Sequence, residues 1–228
     1  MTIADRINNI RQEITNVCAK HHINSNKIRL LAVSKTHSHN TIELAYQQGL
    51  TEFGESYLQE SLEKVKLLKH LPIKWHFIGP IQSNKTKQIA ENFDWAQSID
   101  REKLLLRLSQ QRPLQLNPLN ICIQVNYFDE PQKKGAKPSE VSNLLEIASK
   151  LPNIKLRGLM AIPPKTANYQ QQLNQFRKIA DFYHECKNQY TQMDTLSIGM
   201  SNDLEAAIVS GSTMIRVGTA IFGVRQSR

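Results

Sequence analysis

Apolar residues in this chain gather in short, β-branched runs, and each run is followed by a turn and a longer stretch of amphipathic periodicity. That alternation predicts β/α units on a parallel sheet. Eight runs carry it, at positions 28–33, 52–54, 75–78, 95–98, 120–125, 156–160, 195–198 and 214–217. Helical spacing predicts helices near 40–49, 56–70, 84–92, 101–111, 138–150, 169–189 and 202–210, with another at 3–21 ahead of the first strand. Eight strands alternating with helices are more economically closed into a barrel than laid in an open sheet, because closure leaves no strand edge unpaired. The expectation is an α/β fold, a single (β/α)8 TIM-type barrel with an extra N-terminal helix. An open doubly wound sheet is the alternative. Ile162-Pro163-Pro164 and Arg112-Pro113 read as loop punctuation, so residues 1–228 are expected to form one domain.

Composition narrows the setting. A chain of 228 residues with 40% hydrophobic content supports one large core and is short for two domains. Cys18, Cys122 and Cys186 stand far apart and odd in number, which argues against a disulfide framework and for a reducing compartment. The opening residues lack a cationic start followed by an apolar run, and no stretch has the length of a membrane span. A soluble, cytoplasmic protein is expected. Twenty-nine Lys and Arg against twenty Asp and Glu give a formal charge of +9, which favours anionic partners, from phosphate esters to nucleic acid.

In such barrels the chemistry gathers at the carboxyl ends of the strands, so the residues just after each run are the candidates. They form a polar ring: Ser34, Lys35 and Thr36; Glu55, Ser56 and Tyr57; His76, Gly79, Gln82, Ser83 and Asn84; Asn126; Met160; Ser201 and Asn202; Gly218 and Thr219. Lys35 follows the buried-looking run Leu30-Leu31-Ala32-Val33. Partial desolvation favours a neutral amine, which is what a carbonyl nucleophile needs. The competing reading is a rim lysine that snorkels to water.

Ser201 to Glu205 is expected to open a helix with good capping chemistry, and Val217-Gly218-Thr219 follows the last strand. Loops after the seventh and eighth strands are the usual phosphate cradle of this architecture, so the pair points to a phosphate-bearing ligand. Arg216 sits inside the apolar run Met214-Ile215-Arg216-Val217, where a charge must pair across the barrel or meet a ligand. His76, between Trp75 and Phe77, reads first as a hydrogen-bonded core histidine. His37 and His39 lack companions at metal-ligand spacing, so no metal is assigned. Lys64, Lys66 and Lys69 on one helix, and Lys133, Lys134 and Lys137 in a loop, are expected on solvated faces, with no interleaved aromatics to stack bases.

Taken jointly, these residues resemble a known family. The matching stretches are Leu31-Ala32-Val33-Ser34-Lys35-Thr36, Phe53-Gly54-Glu55, the run from Trp75 through Gly79-Pro80 to Lys85, Arg157 through Met160 to Pro163, and Leu196 through Ser201, running on to Ile221-Phe222-Gly223. They span nearly the whole chain and resemble the pyridoxal phosphate homeostasis protein family. The resemblance implies a barrel like the N-terminal domain of alanine racemase, pyridoxal 5′-phosphate as cofactor and Lys35 as its Schiff-base lysine. It also implies that Ser201, Gly218 and Thr219 hold the phosphate and that Arg216 faces the pyridine nitrogen. The candidate cofactor-binding set is completed by Met160, His76 and Ser56. Ser56 is also a departure, because the family usually carries asparagine there.

Two function classes follow from the resemblance: a protein that stores, supplies or buffers the cofactor, and an amino-acid racemase-like enzyme. A racemase needs acid/base groups on both faces of the substrate adduct, and in related two-domain enzymes one comes from a further domain. The chain ends at Arg228, shortly after Gly223, so that domain is not expected here. A cation at the pyridine nitrogen also weakens the ring as an electron sink. Cofactor homeostasis without metabolic turnover is therefore the expectation, with no catalytic residue assigned and apo-forms of pyridoxal-phosphate enzymes as candidate recipients. A nucleic-acid-binding barrel rests on charge alone and ranks last.

Overall fold

The computed structural model describes residues 1–223. Helix α1 (Ile3–Lys20) precedes β1 (Arg29–Val33), after which strands and helices alternate. They run α2 (His39–Gln47), β2 (Glu52–Glu55), α3 (Leu58–Leu67), β3 (Lys74–Phe77), α4 (Thr86–Asn92), β4 (Trp95–Ile99), α5 (Glu102–Gln111), β5 (Leu119–Val125) and α6 (Pro138–Lys150). The chain continues with β6 (Ile154–Ala161), α7 (Tyr169–Gln189), β7 (Thr195–Ser197), α8 (Leu204–Val209), β8 (Met214–Val217) and α9 (Thr219–Phe222). The eight strands pair in sequence order, all parallel, and β1 closes on β8 with Leu31 opposite Arg216. The expected closed barrel is thus the fold, and the open sheet is not.

The barrel has two interiors. The large one lies between the outer strand faces and the helices, where Phe53, Phe77, Ile121, Ile123, Leu159 and Leu196 meet residues such as Ile89, Leu104, Leu145 and Phe176. The small one is inside the barrel, an apolar cluster of Trp95, Cys122 and Met160 surrounded by polar side chains. A bulge keeps β6 in phase with both: Ile121 pairs with Leu156 but Cys122 with Gly158, leaving Arg157 as the extra residue. Leu156 and Leu159 therefore both reach the outer core although three positions apart, while Met160 turns inward.

Helix α1 completes the outer ring, because α9 has only four residues. Its buried stripe of Ile7, Ile10, Ile14, Val17 and Cys18 follows helical spacing and packs towards α8 and α9. A reciprocal cap starts it, with the Asp5 N–H donating to Thr2 Oγ1 (3.1 Å) and the Thr2 N–H to Asp5 Oδ2 (2.8 Å). Two expected helices are shorter than the periodicity suggested. The stretch expected at 56–70 is helical only over Leu58–Leu67, and the one at 202–210 begins at Leu204. Residues 201–203 form a turn instead, and Asp203, not Ser201 or Asn202, occupies the cap, its Oδ1 accepting the Met200 N–H at 2.5 Å.

Candidate functional site

At the carboxyl end of β1 the chain turns sharply through Ser34, Lys35 and Thr36. Thr36 has φ 70°, a left-handed conformation that costs a β-branched residue energy, so its surroundings must hold it. They do so through α3. The Thr36 N–H donates to Glu60 Oε1 (2.6 Å), and Lys64 Nζ donates to that same oxygen (2.6 Å), to Glu55 Oε1 (2.8 Å) and to the Ser34 carbonyl (2.9 Å). Ser34 Oγ adds a bond to Glu55 Oε1 (2.6 Å). Glu55 is fully buried; burial pushes its carboxyl upward, against the pull of Lys64. Its Oε2 has no hydrogen-bond partner among the described residues. The half-buried Lys35 thus sits in a turn clamped from beneath by an internal ion-pair cluster.

Lys64 was expected on a solvated face and is instead 5% exposed. The signal that would have found it is its spacing: Ser61, Lys64 and Leu68 lie three and four residues apart, and all three are buried. Lys133 also departs from the solvated reading, donating to the Ile162 and Pro163 carbonyls (3.2 and 2.7 Å) and so tying the loop after β5 to the one after β6.

Arg216 lies on β8, almost fully buried. Its Nη1 donates to the Ser197 carbonyl (2.6 Å) and to Ser197 Oγ (2.9 Å), and its Nη2 to the Ala161 carbonyl (3.1 Å). Among the described residues no carboxylate closes an ion pair with it. Burial pushes the guanidinium down to about 10, with Asp203 opposing, so it stays charged at neutral pH. Beyond it, Gly218 passes close to β1: a Cβ there would lie 3.2 Å from the Val33 carbonyl oxygen. That approach brings the half-buried Gly218 and the exposed Thr219 beside the strand that ends in Lys35. Ser201 is half-buried in the turn after β7, the neighbouring strand. Ser56 lies after β2, and Gly79 is what allows its position, since a Cβ on Gly79 would meet the Ser56 carbonyl oxygen at 2.1 Å.

Met160 and His76 face the barrel interior. Met160 packs on Trp95 and Cys122 and pairs in register with Ser197. His76 stacks on Trp95 (centroids 5.1 Å, planes 10° apart), with Nδ1 2.9 Å from Gln97 Nε2. Its Nε2 is 3.4 Å from Glu52 Oε2, close enough for electrostatic attraction though not a well-formed hydrogen bond. Burial pushes the imidazole down, so it is neutral at pH 7. Burial works against the charge of Glu52, but His76 and Arg29 outweigh it and hold the carboxyl at about 2. Arg29 Nη2 lies 2.7 Å from Glu52 Oε2. Lys35, Gly218, Thr219, Ser201 and Ser56 thus share the carboxyl end of the barrel, Arg216 and Met160 lie in or beneath it, and His76 is held deeper, towards Glu52.

A barrel of this topology, with a lysine closing its first strand and a buried arginine on its last, defines a class. The family described as "Alanine racemase, N-terminal domain" matches residues 7–226. Within it the chain belongs to the pyridoxal phosphate homeostasis protein family. The protein of that name from Haemophilus influenzae is 48% identical over 99% of this chain and 97% of its own length, and that from Escherichia coli K12 is 44% identical over 98% and 97%. Among solved structures, PipY of Synechococcus elongatus with pyridoxal phosphate bound superposes with a TM-score of 0.84 at 32% identity, covering 97% of this chain and all of that one. Alanine racemase from Corynebacterium glutamicum shares the fold alone, with a TM-score of 0.69 at 13% identity over 97% of this chain and 62% of the enzyme.

Proposed function

We propose that residues 1–228 form one pyridoxal 5′-phosphate-binding domain that holds the cofactor through a Schiff-base link to Lys35 and serves its homeostasis in the cytoplasm. The observation that carries this reading is the meeting of β1 and β8: an amine one residue past Ser34, a glycine approach at Gly218 and a buried cation at Arg216 on adjacent strands. These are the groups such a ligand requires. An amine takes the aldehyde carbon, hydroxyls and backbone N–H groups at Ser201, Gly218 and Thr219 take the phosphate, and a cation stands at the ring nitrogen. The near-full-length identity to homeostasis proteins supports the same assignment.

When bound, the cofactor supplies an aldehyde and an electron-withdrawing ring. Arg216 remains cationic and receives no carboxylate partner among the described residues, so it opposes protonation of that ring nitrogen and favours retention of the cofactor over chemistry on it. Apo-forms of pyridoxal-phosphate enzymes are the proposed recipients. Among the described residues no helix is long and apolar enough to cross a membrane. An absorbance spectrum of the loaded protein tests the link: a band in the visible, abolished by borohydride, with the reduced adduct on the Lys35 peptide by mass spectrometry. An adduct on another lysine, or none, overturns the assignment.

A further inference from the structure

The polar groups inside the barrel form a hydrogen-bonded line from Arg216 to His76, with Glu52 within electrostatic reach beyond it. It starts at Arg216 on β8, whose Nη1 donates to Ser197 Oγ on β7 at 2.9 Å. Ser197 Oγ donates across the barrel to Gln97 Oε1 on β4 at 2.7 Å, joining strands on opposite walls. Gln97 Nε2 lies 2.9 Å from His76 Nδ1 on β3, and His76 Nε2 lies 3.4 Å from Glu52 Oε2 on β2, which Arg29 anchors at 2.7 Å.

The hydrogen-bonding capacities leave one consistent arrangement. Arginine only donates, so Ser197 Oγ must accept from Arg216, and its single proton goes to an acceptor, which makes the near atom of Gln97 the carbonyl oxygen. The Gln97 amide nitrogen then faces His76, so Nδ1 accepts and the imidazole proton sits on Nε2, towards the carboxylate of Glu52. Every donor points the same way, from the buried cation towards the half-buried anion. Reversing the Gln97 amide would set a donor against Ser197 and strand the hydroxyl proton beside a guanidinium that cannot accept it. A line polarised in this way strengthens each of its bonds.

We infer that Gln97, acting through Ser197, is a positioning residue that aims the guanidinium of Arg216 at the ring nitrogen of the bound cofactor, with His76 and Glu52 holding Gln97 from behind. Among the described residues Arg216 has no carboxylate to orient it, and its remaining bonds are to two backbone carbonyls, one on each terminal nitrogen, so the Ser197 hydroxyl is the one side-chain group that bonds it. The side chain of Gln97 is what locks the Ser197 hydroxyl into the accepting orientation. The inference rests on the proposed cofactor site and on Arg216 facing the ring nitrogen. It adds that a residue on the opposite wall of the barrel tunes that contact.

The test uses the full chain, pyridoxal phosphate, and the analogue with carbon in place of the ring nitrogen. Gln97→Leu is expected to weaken binding of pyridoxal phosphate by roughly tenfold, the scale of one hydrogen bond to a charged group. It should also shift the absorption maximum of the bound cofactor, while leaving affinity for the analogue unchanged. In an Arg216→Gln background the same substitution should have no further effect. Equal losses for both ligands, or additive effects in the double variant, would reduce Gln97 to core packing and overturn the inference. Should Gln97→Leu fail to fold, Ser197→Ala removes the middle hydroxyl and carries the same expectations. Wild-type protein that makes no adduct on Lys35 would overturn the functional reading itself, before any variant is compared.

Discussion

Lys64 and Glu55 form an ion pair at 2.8 Å in which the lysine side chain is 6% exposed and the carboxylate not at all. The pair lies between β2 and α3, and the same ammonium reaches the Ser34 carbonyl, so the turn carrying Lys35 is built on it. Breaking such a pair from one side leaves a buried charge without compensation. Lys64→Met is therefore expected to cost about 3–5 kcal/mol of unfolding free energy. Urea denaturation measures it, and adding Glu55→Gln should recover part of the loss. A Lys64→Met protein as stable as wild type would show that the cluster contributes nothing.

Lys35→Ala should abolish covalent attachment of pyridoxal phosphate while leaving the melting temperature within a few degrees of wild type, because Lys35 is half-buried and outside the outer core. Borohydride reduction followed by peptide mass spectrometry reads the first outcome, and a thermal melt followed by circular dichroism the second. An adduct that persists would place the link elsewhere.

At the phosphate end, Ser201→Ala and Thr219→Ala should each weaken cofactor binding without removing it, by about 1.5–3 kcal/mol per lost hydrogen bond to a charged group. Backbone N–H donors around Gly218 are proposed to carry the remainder. Titration calorimetry with the double variant is decisive, since an unchanged affinity would move the phosphate to another part of the mouth.

Acid stability should report Glu52. Its folded-state pKa of about 2 lies below the ordinary carboxylate value, so the group's contribution is fully present above about pH 4.5 and is lost as pH falls towards 2. Over that window wild type should lose on the order of 2 kcal/mol more than Glu52→Gln. Chemical denaturation at pH 6 and pH 3 makes the comparison. Parallel losses in the two proteins would show that His76 and Arg29 do not hold the carboxylate in its charged form.

The barrel was legible because its determinants are local. Eight short apolar runs, each with its own turn and amphipathic helix, leave closure as the arrangement without an open edge, and the strands fall within a few residues of where periodicity put them. Lys35, Ser201 and Gly218 were legible for a related reason, since residues that end strands in such a barrel must gather at one rim. Where local pattern competes with a tertiary contact it fails. Asp203, not Ser201, occupies the cap position of α8, and its carboxylate turns back to the Met200 N–H instead of bonding the first helical N–H groups. The partners of the buried polar side chains were decided only by folding. Lys64 meets Ser34 from 30 residues away, and Gln97 meets Ser197 from 100. Sequence requires that a buried arginine, histidine or lysine be satisfied, but which distant side chain satisfies it depends on the register and phase with which eight strands close on one another.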